Sequence, residues 1–371
     1  MKQLIIATKK SLCLSLLTAL IACGGCSKEV VRDENTISAG EVVFVDNFPK
    51  ELTLTELEDV SFDEIGISSL KMVDSILIIG HNNCWSFYSS SGKKYGDCLS
   101  VGQGPNEFLF IPSVPSCGFN TYNDSLYAYI STMPMGKIMR LNVTKFINDS
   151  VVDLRPQIEA KILKTQLWQV SPCDSSTFVM AVPNADYKGF TRQIYKNGEI
   201  SEIPGTETLS DFILQGEDIN LLAKIQRYNP KADMVLEAMS YLHQLNIYSP
   251  DGSRMKTICI GDKLNNIRDI ENMAPADRPY FFRNAEAYPN GFGAIYMGTP
   301  VSAMDNGSAK ISNLQFFDWD GKPKCSVVLP YQVYAMDIDF NNKRLYAIDL
   351  EEDRIRTYDA SQIIDAMNVK Q

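Results

Sequence analysis

Tyr88-Ser89-Ser90-Ser91-Gly92 ends a strand-like run on an aromatic residue and turns at a glycine. The chain repeats this at Tyr195-Lys196-Asn197-Gly198, Tyr248-Ser249-Pro250-Asp251-Gly252 and Phe317-Asp318-Trp319-Asp320-Gly321. An aromatic strand end running into Ser-Gly, Asn-Gly or Asp-Gly is a hairpin signal, because glycine supplies the positive φ that the turn needs. The turn glycines recur at a long period. Gly92 to Gly198 is 106 residues, or twice 53, Gly198 to Gly252 is 54 and Gly252 to Gly321 is 69. That spacing predicts stacked sheet modules of about 50 residues. A degenerate copy at Ile138-Met139-Arg140-Leu141-Asn142-Val143 fills the gap near residue 145, and another at Ile355-Arg356-Thr357-Tyr358-Asp359 brings the count to six.

A second strand precedes each copy, at 75–79, 125–130, 177–182, 234–239, 293–297 and 344–348, in apolar runs bounded by turn residues. Helical periodicity is confined to 209–225 and 361–367. A sandwich would show strands at a spacing of about 8–12 residues with no super-period. The expected fold is therefore all-β, a six-bladed propeller of four-stranded blades. The last module shows only three strands, at 334–339, 344–350 and 354–359, so an N-terminal strand near Leu52–Leu57 is expected to close the ring and remove its exposed edges.

The N-terminus carries Lys2, Lys9 and Lys10, an apolar run from Leu12 to Ile21, and then Leu20-Ile21-Ala22-Cys23. The run is too short to span a bilayer, and small residues before the cysteine suit a signal peptidase. The expected organisation is a lipoprotein signal peptide over 1–22, a flexible tether over 23–41 behind a lipidated Cys23, and a propeller domain over 42–371. Removing 1–22 would leave 349 residues and move the formal charge from −10 to −13. An acidic chain does not suit nucleic acid, where affinity comes from neutralising phosphates with Lys and Arg. The expected membrane contact is through the N-terminal lipid, in the cell envelope. An outer-membrane lipoprotein is the expected form, with its orientation open.

Val101-Gly102-Gln103-Gly104-Pro105-Asn106-Glu107-Phe108 and Phe316-Phe317-Asp318-Trp319-Asp320-Gly321-Lys322-Pro323 resemble segments of the TolB-like six-bladed propeller family of bacterial lipoproteins, over about residues 42–360. The resemblance implies fold, export and lipidation, and brings no catalytic residues with it. Within the first segment, Gly102, Gly104, Pro105, Glu107 and Phe108 allow two readings. One is a nest of backbone N–H groups that holds an anion. The other is a tight connection in which Glu107 accepts local hydrogen bonds and Phe108 packs between sheets.

Enzyme signatures are sparse. His81 and His243 lie far apart and outside any metal-ligand spacing, and neither a Gly-x-Ser-x-Gly elbow nor a His-Glu-x-x-His helix occurs. The favoured expectation is a non-catalytic binding or scaffold protein that engages a protein, peptide or glycan through a propeller face or channel mouth. The alternative is a metal-dependent hydrolase or lyase, lactonase-like, whose divalent cation would sit in the central channel near Asp337, Asp339 or Asp349. An insertion expected over 261–292 carries Arg278, Tyr280, Phe281 and Phe282, an aromatic and basic surface for a partner or a cover for a blade core. Of nine cysteines, Cys84 and Cys98 centre on residue 91 in a hairpin turn, and either bridge across it or are two buried thiols. Asp74-Ser75-Ile76, Asp124-Ser125-Leu126 and Asp149-Ser150-Val151 resemble an O-glycosylation sequon of exported bacterial proteins, and equally suit plain turns.

Overall fold

The computed structural model describes residues 34–104, 106–132, 137–158, 169–210 and 212–368. The proposed signal sequence, Cys23 and Pro105 lie outside them. Six sheets form six blades, numbered here by the chain order of their inner strands: Ile67–Val73, Gly118–Tyr122, Gln169–Pro172, Lys224–Asn229, Pro279–Tyr288 and Val333–Asp339. Each inner strand pairs antiparallel with the next strand of its blade, and neighbouring inner strands meet around the axis. The fold is the expected six-bladed propeller.

The hairpin glycines take the backbone they were expected to need. Gly92, Gly198, Gly252 and Gly321 have φ of 83°, 95°, 73° and 81°, and each joins the third to the fourth strand of its blade, in blades 1, 3, 4 and 5. At Gly252 a Cβ would lie 2.1 Å from the Pro204 carbonyl oxygen, so a side chain is barred by space as well as by φ. Blade 2 has a short helix, Val143–Asp149, at the equivalent place, capped by the Asn142 side chain, which accepts from the Lys145 N–H. That is why no turn glycine is legible near residue 145.

Blade 6 receives its fourth strand from the N-terminus. Glu56–Leu57 pairs antiparallel with Arg354–Asp359, and Thr357 Oγ1 donates to the Leu57 carbonyl at 2.6 Å. The same segment does more than close the ring. Upstream, Glu41–Val45 adds a parallel fifth strand to blade 4, and Glu51–Leu52 adds one to blade 5. Residues expected in the flexible tether are already packed. Ile37 and Ala39 are buried, Ala39 N–H donates to Thr257 Oγ1, and Gln244 Nε2 donates to the Ile37 carbonyl. The folded chain thus begins before residue 42.

Two other expectations are corrected. The helix expected over 209–225 is a short turn at Glu207–Ser210, a 3₁₀ turn at Ile219–Leu222 and then the blade 4 inner strand. The insertion expected over 261–292 ends near residue 278, because Pro279–Tyr288 is the inner strand of blade 5. The C-terminal helix, Ser361–Asn368, is present and buries Ile363 and Met367 against blades 5 and 6. Among the described residues no helix is long and apolar enough to cross a membrane.

The core is divided among the interfaces between blades. One apolar cluster lies between each neighbouring pair, for example Trp85 and Phe87 against Leu126 and Ala128 between blades 1 and 2. Between blades 6 and 1, Tyr346 and Ile348 pack on Leu70 and Ile79. This is why the apolar runs of the second strands are buried on both faces.

Candidate functional site

The inner strands all run the same way, so their C-terminal ends ring one mouth of the central channel. All six blades contribute to a cavity of about 570 Å3 there, within the range of small-molecule sites, roughly 300–1,000 Å3. Phe119, Tyr228, Tyr288 and Phe340 supply aromatic wall, and Asn120, Thr121, Ser171, Asn229 and Asn341 supply amides and hydroxyls. Bonds between blades set the rim. Thr121 Oγ1 donates to Asp74 Oδ2 at 2.8 Å, and Asn341 Nδ2 donates to Ser75 Oγ at 3.1 Å.

Charges at the floor are paired. Lys71 Nζ forms ion pairs with Glu286 Oε2 and, at 3.1 Å, with Asp337 Oδ2. Arg227 Nε reaches Glu286 Oε1 at 3.2 Å. Asp337 also accepts from the N–H groups of Met72 and Ile338, both at 2.8 Å. Burial pushes the Asp337 carboxyl up to about 6 against the pull of the Lys71 ammonium. Burial also works against the Lys71 charge, but Asp337 and Glu286 more than offset it and raise its pKa. The Tyr288 hydroxyl is buried beside Asp337, and burial together with that carboxylate drives its pKa well up.

The channel does not fit the metal-dependent alternative. Glu286 and Asp337 converge on an ammonium and a guanidinium rather than on an open cation position. Asp339 lines the mouth, but its Oδ1 accepts from the Asn341 and Asn342 N–H groups. Asp349 is not in the channel wall at all. It lies on the second strand of blade 6 and pairs with Arg356 at 2.7 Å.

A second cavity, about 580 Å3, opens at the opposite ends of the inner strands of blades 4 and 5. Arg278 and Tyr280 line it, with Arg278 ion-paired to Asp218 and Tyr280 edge-on to Tyr241 at 5.6 Å. Phe281 faces elsewhere, packing on His243 and Tyr296, and Phe282 is core. The expected surface is thus divided, and only two of its members share a cavity.

The Gly102–Phe108 loop holds its own anion. Gly104 N–H donates to Glu107 Oε2 at 2.7 Å, and a Cβ at Gly102 would sit 1.9 Å from that oxygen. Val101 and Phe108 form a bridge, and Phe108 packs on the blade 1 and 2 core. The nest is filled from within by the Glu107 carboxylate. The Asp-Ser triplets sit at turns as well. Asp74, Ser75, Asp124 and Ser150 all have positive φ.

Cys84 and Cys98 are not bridged, and all six described cysteines are free. A bulge explains the failed symmetry. Tyr88 pairs with Lys94, but Phe87 pairs with Gly96, so the register slips by one and Cys98 comes opposite Trp85. Cys98 enters the core while Cys84 turns toward His81, a neighbourhood that the wide separation of the two histidines did not suggest.

No family model matches the chain, and no curated protein does. The TolB-like resemblance therefore has no family match behind it. Among solved structures, the chain is similar to a member of the DUF4221 family from Bacteroides vulgatus, at 10% identity and a TM-score of 0.52, over 82% of this chain and 97% of that one. It is also similar to a putative exported protein from Bacteroides fragilis, at 11% identity and TM-score 0.49, over 86% and 98%. A third is a luciferin-regenerating enzyme, at 9% identity and TM-score 0.46, over 82% and 94%. At such identities the likeness speaks to fold alone.

Proposed function

We propose that this protein is an exported, lipid-anchored binding protein that takes a glycan at the channel mouth ringed by Phe119, Tyr228, Tyr288 and Phe340. The observation that carries this is the mouth itself, where aromatic faces and amide and hydroxyl groups stand over a floor whose two cations and two anions cancel. A polyhydroxylated, uncharged ligand matches that wall. Sugar rings stack on aromatic faces, hydroxyls exchange hydrogen bonds with amides, the paired floor favours neither sign, and the two further carboxylates, Asp74 and Asp339, disfavour an anion while accepting hydrogen bonds.

Export and anchoring rest on the residues before Cys23. The test is a glycan array probed with the mature chain, with Phe340→Ala and Tyr228→Ala beside it. The expected result is selective retention of one glycan class, weakened at least about tenfold, or 1.4 kcal/mol, by each substitution. Retention unchanged in both variants, or retention of peptides and no glycan, overturns the reading.

A further inference from the structure

On the side of blade 1 away from the channel, four donors of different kinds meet. His81 ends the second strand, and a tight turn, closed by the His81 N–H donating to the Cys84 carbonyl, returns Cys84 beside it. Asp97 comes from the outer strand of the blade, and Glu64 from the segment that leads in from the ring closure. His81 Nε2 lies 3.3 Å from Cys84 Sγ, 3.2 Å from Glu64 Oε2 and 2.9 Å from Ser86 Oγ. One ring nitrogen has a single lone pair or a single proton, so it bonds only one of these three neighbours fully; Ser86 Oγ also donates to Asp97 Oδ1 at 2.6 Å, and the Tyr88 hydroxyl donates to Glu64 Oε1. The His81, Cys84 and Asp97 donor atoms all lie within 4.8 Å of one another.

We propose that His81 Nε2, Cys84 Sγ and an Asp97 carboxylate oxygen bind a divalent transition ion of the zinc class, with Glu64 as the fourth donor. The spacing suits it. Bonds of about 2.0–2.1 Å to nitrogen or oxygen and about 2.3 Å to sulfur, at tetrahedral angles, place N and S about 3.6 Å apart and N and O about 3.4 Å apart. The His81–Cys84 and His81–Glu64 distances, 3.3 and 3.2 Å, are within a few tenths of an ångström of these, and Asp97, within 4.8 Å of both His81 and Cys84, closes in by a side-chain rotation. The donor set, one imidazole, one thiolate and carboxylates, selects zinc-like ions over calcium or magnesium, which take oxygen alone. On binding, the Cys84 thiol gives its proton to solvent.

Lys94 now supplies the positive charge. Its ammonium is 2.7 Å from Asp97 Oδ1 and 2.9 Å from Glu64 Oε1, on a side chain 40% exposed that can swing into water when the ion enters. A bound ion would also clasp the ring-closing segment, through Glu64, to blade 1.

The test uses the mature chain stripped with chelator and reloaded with zinc or cobalt. Expected are one zinc per chain by elemental analysis and a thiolate-to-cobalt charge-transfer band. His81→Ala and Cys84→Ser should weaken zinc at least about tenfold, whereas Cys98→Ser, a change at the buried neighbour, should leave it unchanged. Lys94→Met should tighten it, since the competing cation is gone, and this variant needs no ligand removed. Substoichiometric zinc, a cobalt spectrum without the thiolate band, or affinity indifferent to both Cys84→Ser and Lys94→Met overturns the proposal.

Discussion

Lys224 shows how far a single residue can sit from what its type suggests. It lies at the start of the blade 4 inner strand, buried, its Nζ 3.8 Å from the centre of the Phe190 ring and without a hydrogen-bond partner. Burial first, and then the nearby Arg192 guanidinium, bring its pKa down to about 7 despite Glu237. The unfolded chain holds that proton up to the ordinary value of 10.5. Between the two the unfolded state binds more protons, so stability rises with pH. The gain from this residue from pH 7 to 8.5 is on the order of 2 kcal/mol. Lys224→Met should flatten that rise in urea unfolding followed by circular dichroism, and an unchanged slope would show Lys224 is not the source. The pair beside it, Arg192 and Glu237 at 2.7 Å, is wholly buried, and Glu237→Gln should cost about 3–5 kcal/mol by leaving the guanidinium uncompensated. None of this was legible in the sequence. A lysine opening a strand reads as a solvated edge residue, and only the closed ring brings Phe190 and Arg192 of blade 3 onto it.

At the scale of elements, turn chemistry was legible and pairing between distant segments was not. The four hairpin glycines stand at the third turn of their blades because local φ requirements are written in local residues. The blade 2 helix was hidden because its stop is Ser150 in a left-handed conformation, a position that glycine more often marks. Strands of two residues, such as Glu51–Leu52 and Glu56–Leu57, carry too little pattern to be read, although one closure strand was anticipated from the missing fourth strand of blade 6. The parallel additions to blades 4 and 5 had no signal of their own. Their energetic weight is testable. Val45 is buried in the blade 4 and 5 core, and Leu52 and Leu54 pack against that of blades 5 and 6. Replacing residues 41–57 by a Gly/Ser segment of equal length should cost about 5 kcal/mol or more, from roughly 1.5–3 kcal/mol per apolar side chain lost from burial. The melting temperature should fall by about 10 °C. A fall under about 2 °C would mean that the ring closes without this segment.

For the whole molecule, the ring decides which residues become neighbours, and that is where sequence reasoning about the site stopped. Asp337 and Asp339 were placed near the channel because they end a strand of the last module. Nothing local tied them to Lys71, Arg227 and Glu286, which come from blades 1, 4 and 5. Likewise Arg278 and Tyr280 were read with Phe281 as one surface, but strand alternation sends Phe281 away from its neighbour. His81 and Cys84 are close in sequence, yet Glu64 and Asp97 join them only through the blade 1 sheet and the closing segment. The central claim is that the ligand enters at the mouth where the inner strands end. Its most direct test is a photoreactive residue placed singly at Phe340 on the mouth, at Tyr241 in the opposite cavity and at Ile200 on the outer rim of blade 3, in the full-length protein irradiated in the cells that produce it. The account predicts a reproducible glycan-bearing adduct from Phe340 and none from the other two. An adduct from Tyr241 or Ile200 with none from Phe340 would contradict it.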